Sequence, residues 1–198
     1  MTTRACARRR AGSNMQAVNR WVLILLSVAT LGASPAVADE LSRIEKARNG
    51  LADIWQTGSS DLYLPFRTHH LRFAYDRDKI DRYDERPFGL GYGRSKFDRD
   101  GDWHGLYAMG FQDSHFKPNY MAGYAFQSFW RPAADWRVGG GLTAFLMTRP
   151  DIAHYTPFPG VLPIGSVSYK NVALETAYLP GGRNVGNILF FWGRFHLD

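Results

Sequence analysis

Bulky and small side chains alternate over residues 102–116, which read DWHGLYAMGFQDSHF. The bulky row holds Trp103, Tyr107, Met109 and Phe111, while the other row is small or polar apart from Leu106. A period of two indicates a β-strand. Because the rows differ in size, we predict a membrane barrel in which the bulky row faces lipid and the small row faces the lumen.

Similar segments recur along the chain and predict eight strands. They span residues 63–75, 86–97, 102–113, 120–131, 136–148, 161–170, 172–179 and 188–197. Short connections after the second, fourth and sixth segments alternate with longer ones, which is typical of outer-membrane barrels. The predicted fold is therefore an all-β, eight-stranded antiparallel transmembrane β-barrel.

A different period precedes the strands. Apolar residues recur at helical spacing over residues 40–57, and Gly58 follows them. The apolar positions are Leu41, Ile44, Ala47, Leu51, Ile54 and Trp55. We predict an N-terminal amphipathic helix, which either packs on its own domain or lies in the membrane interface.

The first 38 residues resemble an export signal. They contain five arginines and no acidic residue, an apolar run over residues 21–31, and the sequence Ala-Val-Ala at 36–38. This order is typical of a secretory signal peptide, and the run is shorter than the ~20 residues that a membrane-spanning helix needs. We expect residues 1–38 to be a signal peptide and residues 39–198 to be one barrel domain, with the barrel itself over 61–198.

Removing the leader changes the charge. The whole chain has 24 basic and 18 acidic residues, a net charge of +6. Subtracting the five leader arginines leaves 19 basic against 18 acidic residues, so the charge pattern of nucleic-acid binding disappears. Cys6, the only cysteine, also lies in the leader, which excludes thiol chemistry and disulfides from the remaining chain.

The predicted inner face is short of side chains. Its small residues are Gly89, Gly91, Gly93, Gly123 and Ala125. Glycine weakens a strand unless another group approaches closely, so this row indicates a narrow slot for one long ligand. Alternatively, Met121, Trp192 and Arg194 fill the lumen, as side chains do in many eight-stranded barrels.

Prolines occur in or beside four predicted strands. Pro65 and Pro87 belong to the first and second, and Pro163 and Pro180 belong to the sixth and to the end of the seventh. Proline donates no hydrogen bond to a β-ladder. Paired prolines therefore either weaken the wall enough to admit a lipid sideways or simply mark loops.

Three polar residues are candidates for catalysis. His70 lies at one end of the first predicted strand, and Asp113 and Ser114 lie at the same end of the third. A histidine, a carboxylate and a hydroxyl can activate a nucleophile in acyl transfer. Nothing in the sequence has the spacing of a metal or cofactor site.

Five long stretches carry a family resemblance: DLYLPFRTHHLRFAYD, DRYDERPFG, DWHGLYAMGFQDS, MAGYAFQSFWRP and YLPGGRNVGN. They resemble the lipid A palmitoyltransferase (PagP) family of Gram-negative outer membranes over nearly the whole chain after the leader. The resemblance implies a barrel with an interfacial helix. It also implies transfer of a palmitoyl chain from the sn-1 position of a phospholipid donor to lipid A in the outer leaflet.

The same resemblance assigns residues. It implies that His70, Asp113 and Ser114 are the essential groups, and that the pairs Pro65 with Pro87 and Pro163 with Pro180 are sites of lateral lipid access. The family measures chain length with a glycine in the sequence A-G-Y-G, where this chain has Ala125. We therefore expect a preferred chain that is palmitoyl or slightly shorter, no cofactor, and a monomer in the outer membrane.

Two other classes of protein predict different features. A non-catalytic barrel with an adhesion or stability role predicts a filled lumen and no convergence of the three polar groups. A soluble lipid carrier of the lipocalin type predicts polar rather than aromatic outward rows.

Overall fold

A closed barrel of eight antiparallel strands forms most of the protein. The computed structural model describes residues 35–81, 83–151 and 153–197. The strands are β1 (Ser59–His70), β2 (Gly89–Phe97), β3 (Trp103–Gln112), β4 (Pro118–Ala133), β5 (Trp136–Thr148), β6 (Phe158–Tyr169), β7 (Val172–Leu179) and β8 (Ile188–His196). Each strand pairs with its sequence neighbours and β8 pairs with β1, so the predicted transmembrane barrel is confirmed.

The helix α1 (Pro35–Thr57) precedes the barrel. It begins five residues earlier than the predicted helix and ends where predicted, with the Gly58 amide donating to the Ile54 carbonyl at 2.9 Å. By its contacts the chain divides into two units, Met1–Arg48 and Asn49–Asp198. Most of the predicted signal peptide, residues 1–34, lies outside the described residues.

Among the described residues, no helix is both long and apolar enough to cross a membrane.

The last turn of α1 is fixed to the barrel. Asp53 forms an ion pair with Lys96 of β2 at 2.5 Å, and the Arg94 guanidinium donates to the Gly58 carbonyl. Ile54 is buried, whereas Leu51 and Trp55 are exposed. The helix therefore keeps part of its apolar stripe uncovered.

The two ends of the barrel differ. Short turns over residues 98–102, 134–135 and 170–171 close the turn end. Longer connections over 71–88, 113–117, 149–157 and 180–187 form the loop end, and they include the short helix α2 (Arg77–Ile80) and two 3₁₀ turns (Arg72–Ala74 and Ala153–Tyr155). All the predicted short turns are confirmed.

The predicted limits of the first strand, 63–75, are wrong. β1 ends at His70. The Leu71 amide still donates to the Asn187 carbonyl, but the chain then bends into the 3₁₀ turn, in which the Ala74 amide donates to the Leu71 carbonyl at 2.9 Å. Tyr75 then folds back, with its hydroxyl donating to the Gly186 carbonyl at 2.5 Å. The alternating pattern over residues 71–75 reflects their contacts with the loop at 180–187. A period of two in the sequence does not distinguish such loop contacts from those of a strand.

The predicted facing of β3 is also wrong. Trp103, Tyr107 and Met109 are buried in the lumen, and the small row faces outward. Their β2 partners explain this, because Met109 pairs with Gly91 and a Cβ added at Gly91 would lie 2.6 Å from the Met109 Cβ. The inner glycines of β2 thus make room for the bulky row of β3.

The remaining outward rows are apolar as predicted. Exposed large residues on the outer surface include Leu90, Tyr92, Tyr120, Trp130, Leu142, Leu146, Val161 and Leu174. An apolar outer band is what a barrel presents to lipid. It is not what a soluble lipid carrier would present to water.

A buried polar cluster, here called the polar floor, fills the lumen toward the turn end. Glu175 accepts hydrogen bonds from Trp192 Nε1 at 2.7 Å, Arg194 Nε at 2.8 Å and Gln127 Nε2 at 3.2 Å. Asp61 lies 3.7 Å from Arg194 Nη1 and 3.0 Å from His196 Nδ1, so the Arg194 guanidinium has a carboxylate on two sides. Because these charged groups satisfy one another, they can remain buried.

Two ladders stop short of the loop end. β1 and β2 pair only from Ser59–Ser95 to Tyr63–Gly91, and β6 and β7 pair only from Tyr169–Val172 to Ile164–Ala177. Among the described residues, the rest of β1 has no partner in β2, and residues 158–163 of β6 have none in β7. We call these the β1–β2 gap and the β6–β7 gap.

Candidate active site

A β-bulge turns His70 into the lumen. Pro65 pairs with Trp192 and Arg67 pairs with Phe191, so Phe66 is an extra residue on β1. A bulge shifts every later side chain to the opposite face. Without it, His69 instead of His70 would face inward.

His70 is buried at the loop end, with 3 % of its surface exposed. Its ring stacks on Tyr83 with centroids 4.7 Å apart, and it meets the edge of Tyr75 at 5.0 Å. Its Nδ1 lies 3.2 Å from Glu85 Oε1, and its backbone amide donates to the same oxygen at 3.0 Å. The imidazole is therefore held on three sides.

Glu85 was missed by the sequence reasoning. Its other oxygen accepts from Arg72 Nη2 at 2.9 Å and lies 3.5 Å from Arg67 Nη2. Partial burial acts to raise the pKa of Glu85, but the hydrogen bonds from His70 and the charges of Arg72 and His69 outweigh it and hold that pKa below its usual value. The stretch DRYDERPFG contains this residue, although nothing in the pattern places it against His70.

Asp113 and Ser114 occupy the tight loop after β3. Asp113 Oδ1 accepts the backbone amides of His115 at 2.8 Å and Lys117 at 2.9 Å, while Oδ2 lies 3.9 Å from Arg149 Nη2. The carboxylate thus organises the loop. In the part of the chain that the structure describes, the Ser114 hydroxyl has no hydrogen-bond partner, so it is available to a substrate.

All three predicted residues line one cavity. It has a volume of about 410 Å³, with His70, Asp113 and Ser114 at its mouth. Its deeper wall is apolar and includes Met109, Phe111, Met121, Phe145, Leu162, Ile164, Phe190 and Trp192. This volume lies in the range of ~300–1,000 Å³ for small-molecule sites, whereas the non-catalytic alternative predicted a filled lumen.

The three residues share the cavity without bonding to one another. Among the described residues, no hydrogen bond joins His70 to Asp113 or Ser114, and the carboxylate partner of His70 is Glu85. The cavity thus combines a base, the acid that orients it and an available hydroxyl. A cavity with these groups at its mouth and an apolar interior suits acyl transfer from a lipid ester.

Ala125 lies at the bottom of the apolar part. It is 4 % exposed, faces the cavity, and is flanked in register by Gly105 of β3 and Thr143 of β5. The next inward residue of β4 is Gln127, which belongs to the polar floor. Ala125 therefore marks the level at which the apolar wall gives way to charged groups.

Asn119 is a second cavity residue that sequence reasoning missed. It is fully buried, and its Nδ2 donates to the Lys117 carbonyl at 3.1 Å, while Oδ1 has no partner in the part of the chain described. A lone asparagine at the start of a strand gives no signal by itself. Its position next to the Asp113–Ser114 loop becomes visible only in three dimensions.

The four prolines border the two gaps. Pro65 lies two residues beyond Tyr63, the last β1 residue paired with β2, and Pro87 lies two residues before β2 begins. Pro163 immediately precedes Ile164, where the β6–β7 ladder ends, and Pro180 follows β7 directly. Each predicted pair therefore flanks one interruption of the wall.

Comparison with known proteins gives one consistent family. A family model described as "Antimicrobial peptide resistance and lipid A acylation protein PagP" matches residues 50–194. A lipid A acyltransferase PagP from Methylobacillus flagellatus is 49 % identical over 164 residues, covering 83 % of this chain and 89 % of the relative.

Other relatives carry the same description. The lipid A acyltransferase PagP of Laribacter hongkongensis is 50 % identical over 153 residues, with coverage of 77 % of this chain and 74 % of the relative. That of Shigella flexneri is 45 % identical over 175 residues, covering 87 % and 92 %. The chain therefore belongs to the PagP family.

Proposed function

We propose that this protein is a lipid A acyltransferase that takes a palmitoyl or slightly shorter chain from the sn-1 position of a glycerophospholipid. The observation that carries the proposal is the apolar cavity with His70, Asp113 and Ser114 at its mouth. The relatives named lipid A acyltransferase support the acceptor. The cavity supports a donor that presents one extended acyl chain.

The chemistry is an ester exchange. A lipid A hydroxyl attacks the sn-1 carbonyl carbon, a new ester bond forms, and the glycerol oxygen leaves as a lysophospholipid. His70 takes the proton from the attacking hydroxyl and returns it to the departing oxygen, as a general base and then a general acid. Stacking on Tyr83 and burial keep the imidazole in place during both steps.

Ser114 and Asp113 act from the loop after β3. The free Ser114 hydroxyl contacts the reacting ester or the acceptor, since no protein group among the described residues competes for it. Asp113 fixes the backbone that carries Ser114 through its bonds to His115 and Lys117. Its second oxygen, directed toward Arg149, contributes negative charge at the mouth.

Lipids enter and leave through the two gaps. A closed ladder would bar sideways passage, because each broken hydrogen bond in the membrane leaves polar groups unpaired. The prolines remove donors at the edges of both interruptions, so less is lost on opening there. Pro65 with Pro87 therefore borders one route, and Pro163 with Pro180 borders the other.

Ala125 sets the chain length. The terminal methyl of the donor chain rests against it, because the polar floor begins one inward position farther along β4. Moving an apolar chain end among Glu175 and Arg194 would displace their hydrogen bonds. A glycine at the Ala125 position would deepen the slot by about one methylene.

The protein works in the outer leaflet of the outer membrane. Residues 1–38 direct its export, and α1 lies in the membrane interface with Leu51 and Trp55 exposed to it. The strand order closes on itself, so each of the eight strands has a neighbour on both sides and no whole strand is a free edge for another copy, which supports a monomer. No cofactor or metal enters the proposed chemistry.

A reconstituted assay tests this function. The purified protein in detergent receives lipid A and a phospholipid with a labelled sn-1 chain, and both products are measured. We expect equal amounts of lysophospholipid and acylated lipid A. Hydrolysis to free fatty acid without acylated lipid A, or no reaction at all, would contradict the proposal.

A further inference from the structure

The loop segment at Glu85 replaces the missing strand partner beside the β1–β2 gap. The Thr68 amide donates to the Glu85 carbonyl at 3.0 Å, and the His70 amide donates to Glu85 Oε1 at 3.0 Å. Both amides belong to the part of β1 that has no partner in β2. Glu85 therefore holds the end of β1 through its backbone and its side chain together.

The same carboxylate determines which imidazole nitrogen carries the proton. An ionised carboxylate is an acceptor only. Its Oε1 lies 3.2 Å from His70 Nδ1, so Nδ1 must be the protonated nitrogen of the neutral ring. Nε2 is then left with its lone pair, as a base requires.

Charged neighbours keep Glu85 ionised. Arg72 and Arg67 lie 2.9 and 3.5 Å from its Oε2. The side chain is 12 % exposed, so these charges are only partly screened. The titratable and charged groups that face His70 itself are Tyr75, Tyr83, Glu85, His69 and Arg72.

We propose that Glu85 is the positioning residue of the acyl transfer, and that it holds His70 as the Nδ1–H tautomer so that Nε2 faces the reacting hydroxyl. This inference rests on the proposed function. During the reaction Nε2 takes the hydroxyl proton, the doubly protonated ring is stabilised by Glu85, and the proton passes to the leaving glycerol oxygen. Glu85 remains ionised throughout.

Kinetics of Glu85→Gln test the role. Loss of the orienting charge should lower kcat by ~10²–10⁴-fold, as for other groups that support a histidine base. KM for the donor should change less than ~3-fold, because the cavity that binds it is intact. Glu85→Asp should retain part of kcat, and Asp81→Asn, at an exposed carboxylate of the same loop, should match the parent.

The pH profile separates positioning from a merely structural effect. The rate should rise with pH as His70 loses its proton. Removing the nearby negative charge makes that loss easier, so in Glu85→Gln the midpoint of the rise should move to lower pH. A Glu85→Gln protein with the parent kcat and the parent midpoint would overturn the inference.

A spectroscopic test needs no activity. In the folded protein labelled with ¹⁵N-histidine, two-bond proton–nitrogen correlations identify the protonated ring nitrogen, and His70→Ala assigns the signal. We expect Nδ1–H in the parent and a shift toward Nε2–H in Glu85→Gln. A parent ring protonated at Nε2 would overturn the inference even if the variant failed to fold.

The proposed function and the role of Glu85 can be overturned separately. A parent that transfers no acyl chain overturns the proposed function and the catalytic role of Glu85 with it. A parent that transfers normally while Glu85→Gln is unaffected overturns only the role of Glu85.

Discussion

Replacing Ala125 with glycine should lengthen the acyl chain that the protein prefers. The Ala125 side chain is almost fully buried at the end of the apolar wall, directly above Gln127 of the polar floor. Its methyl occupies the space that the end of a longer chain would need. The substitution should move the optimum by about one methylene.

The magnitude follows from burial and packing. One additional buried methylene contributes ~0.8 kcal/mol, which is ~4-fold at ~1.4 kcal/mol per tenfold change. Forcing the same methylene against the parent wall costs ~1–3 kcal/mol, so relief of that strain extends the upper limit to ~100-fold. We therefore expect the rate ratio of the longer to the preferred chain to rise by ~4- to ~100-fold.

The assay uses phospholipids with sn-1 chains graded by single methylenes. Ala122→Gly is the matched control, because Ala122 lies on the same strand with its side chain exposed on the outer face. Both variants lose one methyl and gain the same backbone freedom, which costs ~0.5–1 kcal/mol in a strand. Identical chain-length profiles for the parent and Ala125→Gly would refute Ala125 as the end of the slot.

Four further tests concern the mouth, the wall and the charged groups. Ser114→Ala should lower turnover by ~10²–10⁴-fold in an acyl-transfer assay while the barrel folds normally. Leu64 and Leu90 would be opposite each other if the β1–β2 ladder continued past Tyr63–Gly91. A disulfide between cysteines at these two positions should stop turnover until it is reduced. Glu175→Ala should destabilise the barrel by ~3–5 kcal/mol in urea unfolding, because the buried Arg194 guanidinium loses its hydrogen-bonded carboxylate and keeps only the more distant Asp61. Folding lowers the pKa of Glu85, so the ionised side chain stabilises the folded protein fully above pH ~4.5. This stabilisation should be lost as the pH falls through the pKa of Glu85 in the folded protein. The unfolding free energies of the parent and Glu85→Gln should therefore converge in acid.

Controls make each result decisive. Ser128→Ala, on the outer face of β4, should leave turnover unchanged, and a disulfide between residues 122 and 146, within the continuous β4–β5 ladder, should also be neutral. Glu175→Gln, which keeps an acceptor, should lose less stability than Glu175→Ala. Full activity in a folded Ser114→Ala protein, or with the β1–β2 cross-link verified, would contradict the corresponding role. A difference in unfolding free energy between the parent and Glu85→Gln that persisted in acid would contradict the prediction that the ionised Glu85 side chain stabilises the fold.

Periodicity predicted the barrel because alternation is a property of each strand by itself. Strands β5 and β7 begin and end where the pattern placed them, at 136–148 and 172–179. The same property failed for β3, since a period of two separates two rows without saying which is inside. In β3 the paired glycines of β2 determine which row faces the lumen. This pairing cannot be seen from the sequence of one strand alone.

Site residues divide in the same way. His70, Asp113 and Ser114 could be named because their types suit acyl transfer and the family resemblance selects them, and the structure brings all three to one cavity. Glu85 could not be named, because its contact with His70 depends on a bulge at Phe66 and on a loop that closes beside the β1–β2 gap. Such contacts depend on register and loop closure, which no local pattern specifies.

Mass spectrometry of lipid A shows directly whether this protein transfers an acyl chain in the cell. Lipid A is extracted from Gram-negative cells that lack an endogenous enzyme of this kind and express either the parent or His70→Ala, with both proteins confirmed as folded in the outer membrane. We expect the parent to add the mass of one acyl chain, at or slightly below palmitoyl, and His70→Ala to add none. Unmodified lipid A in cells that contain the folded parent, or the same gain with His70→Ala, would contradict the account.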